Sequence, residues 1–207
     1  MARTRRLTRE ETQHLTRERL LEAARRLLAR SGFHGASVEA IAAEAGYTKG
    51  AVYSNFASKE AIFLELLGRH MRAETEELGR LVDGEIAPDR VIANVDRWLE
   101  TMNADADWAL VAIELQLHAR RSPAFALEYD ALYAAHRNRL ADLLETVFAR
   151  AGRQLPAPAR AMAAGFIALA HGLVLEGARK PGEGDPAGPL IKTILRSLLA
   201  AAPEVER

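Results

Sequence analysis

Residues 37–60 constrain this chain more than any other stretch, because three hydroxyl side chains, Ser37, Thr48 and Ser58, each precede a helix-favouring run there. A hydroxyl in that position accepts a hydrogen bond from a first-turn N–H that has no partner inside its own helix. Three helix starts therefore crowd into one short segment. Gly46 falls between the first two, where the chain must leave a helix and turn, and a φ above zero is free of strain only for glycine. Val38, Ile41, Ala42 and Ala45 keep the i, i+3, i+4, i+7 spacing of a buried stripe, while Glu39 and Glu44 lie off it. The second helix is too short to stand alone in water, so packing must hold it while its polar side stays free. That side offers Thr48, Lys49, Tyr53 and Asn55. The segment reads as helix, turn, helix, and a helix of this kind fits the major groove of DNA.

The same stretch carries a resemblance. The string Ile41-Ala-x-x-Ala45-Gly46-Tyr47-Thr48-x-Gly50-Ala51-Val52-Tyr53-x-x-Phe56-x-Ser58-Lys59-Glu60 is similar to the DNA-binding signature of TetR-type transcriptional regulators. With the preceding helix it covers roughly residues 15–67, and many positions agree in order and spacing, unlike a lone short motif. Two departures are mild: Ser37 stands where the family usually has threonine, and Tyr47 where a small aliphatic residue is also common. The resemblance implies an all-α protein. It would have an N-terminal three-helix DNA-binding domain and a C-terminal helical bundle for a ligand and for dimerisation.

Composition sets the outer bounds. The chain has 207 residues, 49% of them hydrophobic, enough for one sizeable core or two small ones sharing an element. It has no cysteine, which excludes disulfides, thiolate nucleophiles and cysteine-based zinc sites and favours a cytoplasmic protein. No apolar run is expected to span a bilayer, and the N-terminus lacks the apolar core of a signal peptide. Net charge is zero, but its distribution is uneven. Residues 1–60 hold eleven Lys or Arg against seven Asp or Glu, and the remainder holds seventeen against twenty-one. A basic module on an acidic body suits a DNA reader with a separate second function.

In chain order, residues 1–13 carry Arg3, Arg5, Arg6 and Arg9 with little apolar content. They read as a flexible basic arm, either a solubilising tail or a source of phosphate and minor-groove contacts. Residues 14–60 form the helix-turn-helix domain, opening on a helix from about Leu15 to Ser31 with Leu20, Ala24, Leu27 and Leu28 as its stripe and Gly32 as its stop. Phe33 is expected to fold back into that small core. A connecting helix follows over 61–82, with a domain boundary at the breaker-rich 82–88. Five more helices are expected over about 88–104, 107–121, 123–151, 157–179 and 187–201, making nine in all, no strand, and a second domain of residues 83–207.

The DNA-contact candidates are Ser37, Thr48, Lys49, Gly50, Ala51, Tyr53, Ser54, Asn55 and Lys59. Gly50 costs ~1 kcal/mol relative to alanine inside a helix, which a close backbone approach to DNA would explain. Tyr53 and Lys59 are assigned to phosphate on the matching family positions. Trp98, Met102, Trp108, Phe125, Tyr129, Tyr133 and Phe166 are large residues in the C-terminal helices, each suited to core packing or to lining a ligand cavity, with Glu114, Gln116, His118 and His171 as polar orienters. The six histidines show no metal-ligand spacing, and no catalytic motif, phosphate loop or cofactor fingerprint is present.

Small residues Ala163, Ala164, Gly165, Ala168, Ala170 and Gly172 allow close helix approach, and the resemblance turns the last two helices into a homodimer interface. The partners expected are thus operator DNA, an unidentified small molecule and a second copy of the chain. Two other classes are open to such a sequence. One is a helical DNA-binding architectural or partner-binding protein without a ligand switch, and the other a small all-helical enzyme.

Overall fold

A computed structural model of the chain describes residues 8–83, 87–101, 106–177 and 187–205. Among the described residues it has nine helices: α1 (Arg9–Gly35), α2 (Val38–Ala45), α3 (Lys49–Tyr53), α4 (Lys59–Val82), α5 (Pro88–Thr101), α6 (Ala106–Ala119), α7 (Pro123–Arg150), α8 (Ala159–Gly177) and α9 (Ala187–Ala201). Two compact units divide at 67/68, and α4 runs through the division.

In the first unit α1 begins earlier than its apolar stripe announces. Thr8 and Glu11 form a reciprocal capping box, each side chain meeting the other's backbone N–H, so Arg9 to Gln13 are helical and not part of a flexible arm. Arg3, Arg5 and Arg6 lie outside the described residues. Gly32 does break the helix, at φ 65, and the short turn beyond it delivers Phe33 to the core at 1% exposure. There Phe33 meets Phe63 edge to face at 5.3 Å. Leu20, Ala24 and Leu28 of α1, Ile41 of α2, Val52 of α3 and Ile62 of α4 are all buried in this unit.

The second unit is built on α7 and α8, which pack along each other, with α6 against both and α5 and α9 closing the other side. Its core joins Val91, Val95 and Leu99 of α5 to Phe148 of α7 and Leu195 of α9. Asp96, buried at 6% exposure, accepts from Arg196 Nε at 2.8 Å, which braces α5 to α9. A buried carboxylate needs such a partner to offset its lost hydration.

One helix is more apolar by composition than the sequence reading allowed. Ala159–Glu176 of α8 is an 18-residue window of mean hydropathy 1.3, long and apolar enough by composition to cross a membrane. It packs with α6, α7 and α9, yet only 22% of the window is buried within the single chain.

Candidate nucleic-acid interface and interior ligand cluster

The three expected N-caps form. Ser37 Oγ accepts from Ala40 N at 3.1 Å, Thr48 Oγ1 from Ala51 N at 3.2 Å and Ser58 Oγ from Ala61 N at 3.2 Å. Gly46 closes α2 in the left-handed region at φ 73 and sends its N–H to the Ala42 and Ala43 carbonyls. These local devices set the angle between α2 and α3.

Buried Val52 anchors α3, and the opposite side is open: Ser37, Thr48, Lys49, Gly50, Tyr53 and Ser54 are exposed and Ala51 half-buried. Tyr53 shows 51% of its surface. A Cβ on Gly50 would meet only Thr48 Oγ1, at 3.7 Å, so nothing inside the fold demands glycine there. Lys49 pairs with Glu39 of α2, and that hydrogen bond holds its ammonium above the usual lysine range. Ser54 Oγ and Asn55 Nδ2 both turn back onto the Ala51 carbonyl, at 2.9 and 2.8 Å, so these two end the helix instead of reaching outward.

Lys59, expected to contact phosphate, is engaged within the fold of the free chain. Its Nζ donates to the Phe33 carbonyl at 2.9 Å and sits 4.3 Å from the centre of the Phe33 ring, and burial lowers its pKa. The ammonium satisfies a last-turn carbonyl that has no acceptor role left in α1, which ends at Gly35.

The C-terminal candidates divide between two places. Trp98 and Phe166 are partly buried against the α5, α7 and α9 core. Phe125, Tyr129 and Tyr133 form a stacked ladder along α7, with centroids 6.1 and 5.8 Å apart. His118 meets the end of that ladder edge-on at 4.8 Å. The Tyr129 hydroxyl donates to the Ala112 carbonyl of α6 at 3.3 Å, and burial pushes its pKa up. Trp108 stacks on His70 of α4 at 4.6 Å and 11°. Glu114 and Gln116 are half-buried on α6, and Met102 lies outside the described residues.

Two residues passed over in the sequence complete the second group. Glu74 stands one turn after His70 on α4, its Oε2 3.9 Å from Nε2 of His136 on α7. Burial pushes the Glu74 carboxyl up to about 7, helped by Glu77. Burial, with smaller effects from His70 and His171, takes His136 down to about 4. His136 is 7% exposed, and its buried Nδ1 has no hydrogen-bond partner among the described residues. The sequence did carry a signal, because Leu67, Met71, Glu74 and Leu78 share one i, i+4, i+7, i+11 stripe, as do Tyr129, Tyr133, His136 and Leu140. A carboxylate and an imidazole on two apolar stripes mark a functional-site candidate. A cleft of about 350 Å³ elsewhere in this unit has Thr75, Arg139 and Asp142 in its wall and none of the expected ligand residues.

An exposed recognition helix set on a capped turn, followed by a second unit that is mainly helical among the described residues, defines a helix-turn-helix regulator in architecture. Residues 20–66 match the bacterial regulatory proteins of the tetR family, and residues 87–202 match the C-terminal domain of BetI-type transcriptional repressors. The chain belongs to the TetR family. It is 28% identical over 114 residues to the transcriptional repressor AcnR of Corynebacterium glutamicum, covering 55% of this chain and 56% of that one. To the nicotine-responsive repressor HdnoR of Paenarthrobacter nicotinovorans it is 27% identical over 187 residues, covering 89% of this chain and 92% of that one. A transcriptional regulator of known structure from Rhodococcus sp. Rha1 superposes with a TM-score of 0.68 at 26% identity, over 92% of this chain and 99% of that one. The alignments with AcnR proteins span 54% to 65% of those relatives' length.

Proposed function

We propose that this chain is a transcriptional repressor that binds double-stranded operator DNA as a homodimer and is released by a small-molecule effector. The open face of α3 carries the reading. Thr48, Lys49, Gly50 and Tyr53 offer hydroxyl, ammonium, bare backbone and phenol from a helix whose other side is fixed in the core. Ser37 and Ala51 flank that face, and Ser54 and Asn55 hold its end. A repressor of this kind works in the cytoplasm, beside the chromosome.

One recognition helix spans few base pairs, so useful specificity calls for a two-fold pair reading a pseudopalindrome. The last two helices suit the interface. Ala161, Gly165, Ala168 and Gly172 lie exposed along one side of α8, and Leu190 of α9 is 41% exposed. A face so apolar gains by being covered.

Residues 83–207 and the distal part of α4 take the effector. Glu74, the Trp108–His70 stack and Tyr133 suit a ligand that brings positive charge and a flat or alkylated body, since a cation would compensate the half-buried carboxylate. Support comes from the relative HdnoR, whose repression responds to nicotine. The effector shifts the DNA-bound population only by its differential affinity for two conformations, ~1–3 kcal/mol in typical systems.

Selection of duplexes from a random pool, with light scattering of the free protein, tests the core of this reading. Enrichment of a two-fold symmetric duplex and a mass near twice 22.7 kDa are expected. A monomer, or a pool with no enriched sequence, defeats it. A ligand-independent affinity would point to an architectural DNA-binding protein instead.

A further inference from the structure

A helix of five residues has too few internal hydrogen bonds to fix its own direction. Its N-terminal end is set by Thr48 and its middle by Val52. At the C-terminal end, beyond the local Ser54 and Asn55 bonds, one guanidinium ties the helix to its neighbours. Arg17 of α1 donates through Nη1 to the Asn55 carbonyl, just past the end of α3. Its Cζ lies 4.1 Å from the centre of the Phe56 ring. Its Nε and Nη2 meet both carboxylate oxygens of Glu65 on α4, the first at 3.3 Å. One planar group thus ties together α1, the turn after the recognition helix and α4. Both side chains are largely withdrawn from water, Arg17 at 35% and Glu65 at 21% exposure. Asn55 adds to the constraint. Its Nδ2 is spent on the Ala51 carbonyl while its buried Oδ1 has no partner among the described residues.

We propose that Arg17, anchored by Glu65, is a positioning residue for base recognition: it fixes the angle at which α3 presents Thr48, Lys49 and Tyr53, and so sets sequence discrimination more than affinity for the DNA backbone. The proposal rests on the DNA-binding reading above. Only arginine has the geometry, because a planar fork donates in several directions while its face stacks on a ring, and a lysine ammonium is a single point charge. α4 continues past Glu65 to Val82, so the carboxylate that steadies the guanidinium belongs to the helix that carries Glu74. Any rotation of α4 moves Glu65 and reaches the end of α3 through Arg17.

The test compares the full chain with Arg17→Lys, Arg17→Gln and Glu65→Gln, using a duplex selected by the wild type and a random-sequence duplex of equal length at one salt concentration. Arg17→Lys keeps the charge and removes the fork. It is expected to weaken the selected duplex about tenfold or more while random DNA changes less than about twofold. Those values correspond to ~1.4 kcal/mol and a few tenths. Glu65→Gln leaves the Asn55 bond and removes the anchor, so it should shift the ratio the same way by less. Equal weakening of both duplexes, or wild-type binding by Arg17→Lys, overturns the proposal and leaves Arg17 a packing residue. Should Arg17→Gln unfold, Arg17→Lys and Glu65→Gln still decide. If the wild type selects no duplex, the DNA-binding reading itself fails before any variant is made.

Discussion

Glu74 and His136 face each other between α4 and α7, carboxylate Oε2 to imidazole Nε2 at 3.9 Å, and burial makes each the wrong charge state for an ion pair. The acid is held up at about 7 and the imidazole down at about 4, so the folded chain favours both groups neutral. A carboxyl with a raised folded pKa binds more protons folded than unfolded, so its stabilising effect is complete below its ordinary 4.5 and lost as the pH climbs to about 7. The histidine has the opposite slope, losing its contribution as the pH falls from 6.5 to about 4. In the wild type the two slopes largely offset one another.

Glu74→Gln removes one slope. The variant should gain stability relative to wild type as the pH rises from 4.5 to 7, by an amount on the order of 1–3 kcal/mol. Thermal melts of both proteins across that range check it, and a constant offset between them would show that the carboxyl is not held high.

From its place in the free chain, Lys59 should act on stability and not on the salt dependence of DNA binding. Replacing it with methionine keeps the stem over Phe33 and deletes the bond to the Phe33 carbonyl. The expected loss is about 1 kcal/mol in urea denaturation. The slope of log affinity against log salt should stay unchanged, whereas loss of a phosphate contact would reduce it by about 1.

At Gly50 the sign reverses. An added methyl meets only Thr48 Oγ1 at 3.7 Å, an ordinary contact, so Gly50→Ala should raise the melting temperature or leave it alone. On selected DNA the same methyl stands where the backbone must come close, and affinity should fall about tenfold or more, roughly 1.4 kcal/mol. Undiminished binding in a gel-shift titration would remove Gly50 from the interface.

Glu39 acts through Lys49. Its carboxylate holds the Lys49 ammonium in the free protein and is itself kept below the usual carboxylate range by that bond. DNA must compete for the lysine, so Glu39→Gln should tighten binding to random duplexes several-fold at low salt, with the gain shrinking as salt rises. Unaltered or weaker binding would show that Glu39 lies clear of the duplex.

Ser37, Thr48, Ser58 and Gly46 were legible in the sequence because their work is done within three or four residues of themselves. The C-terminal helices were legible through their stripes, each found within a few residues of its expected range. Lys59 was not, since its partner is a last-turn carbonyl of α1, 26 positions away. Arg17 was not legible either, because Asn55 and Glu65 come beside it only in the fold. The start of α1 was missed for another reason: the Thr8 and Glu11 signature is local, but it sits among arginines that read as a tail. Glu74 shows the reverse lesson. Its place on an apolar stripe was readable, and only the facing His136 gives that place a meaning.

Within the single chain only 22% of the apolar Ala159–Glu176 window of α8 is buried, so a second copy laid along that helix, as proposed above, would take its exposed Gly165, Ala168 and Gly172 out of water.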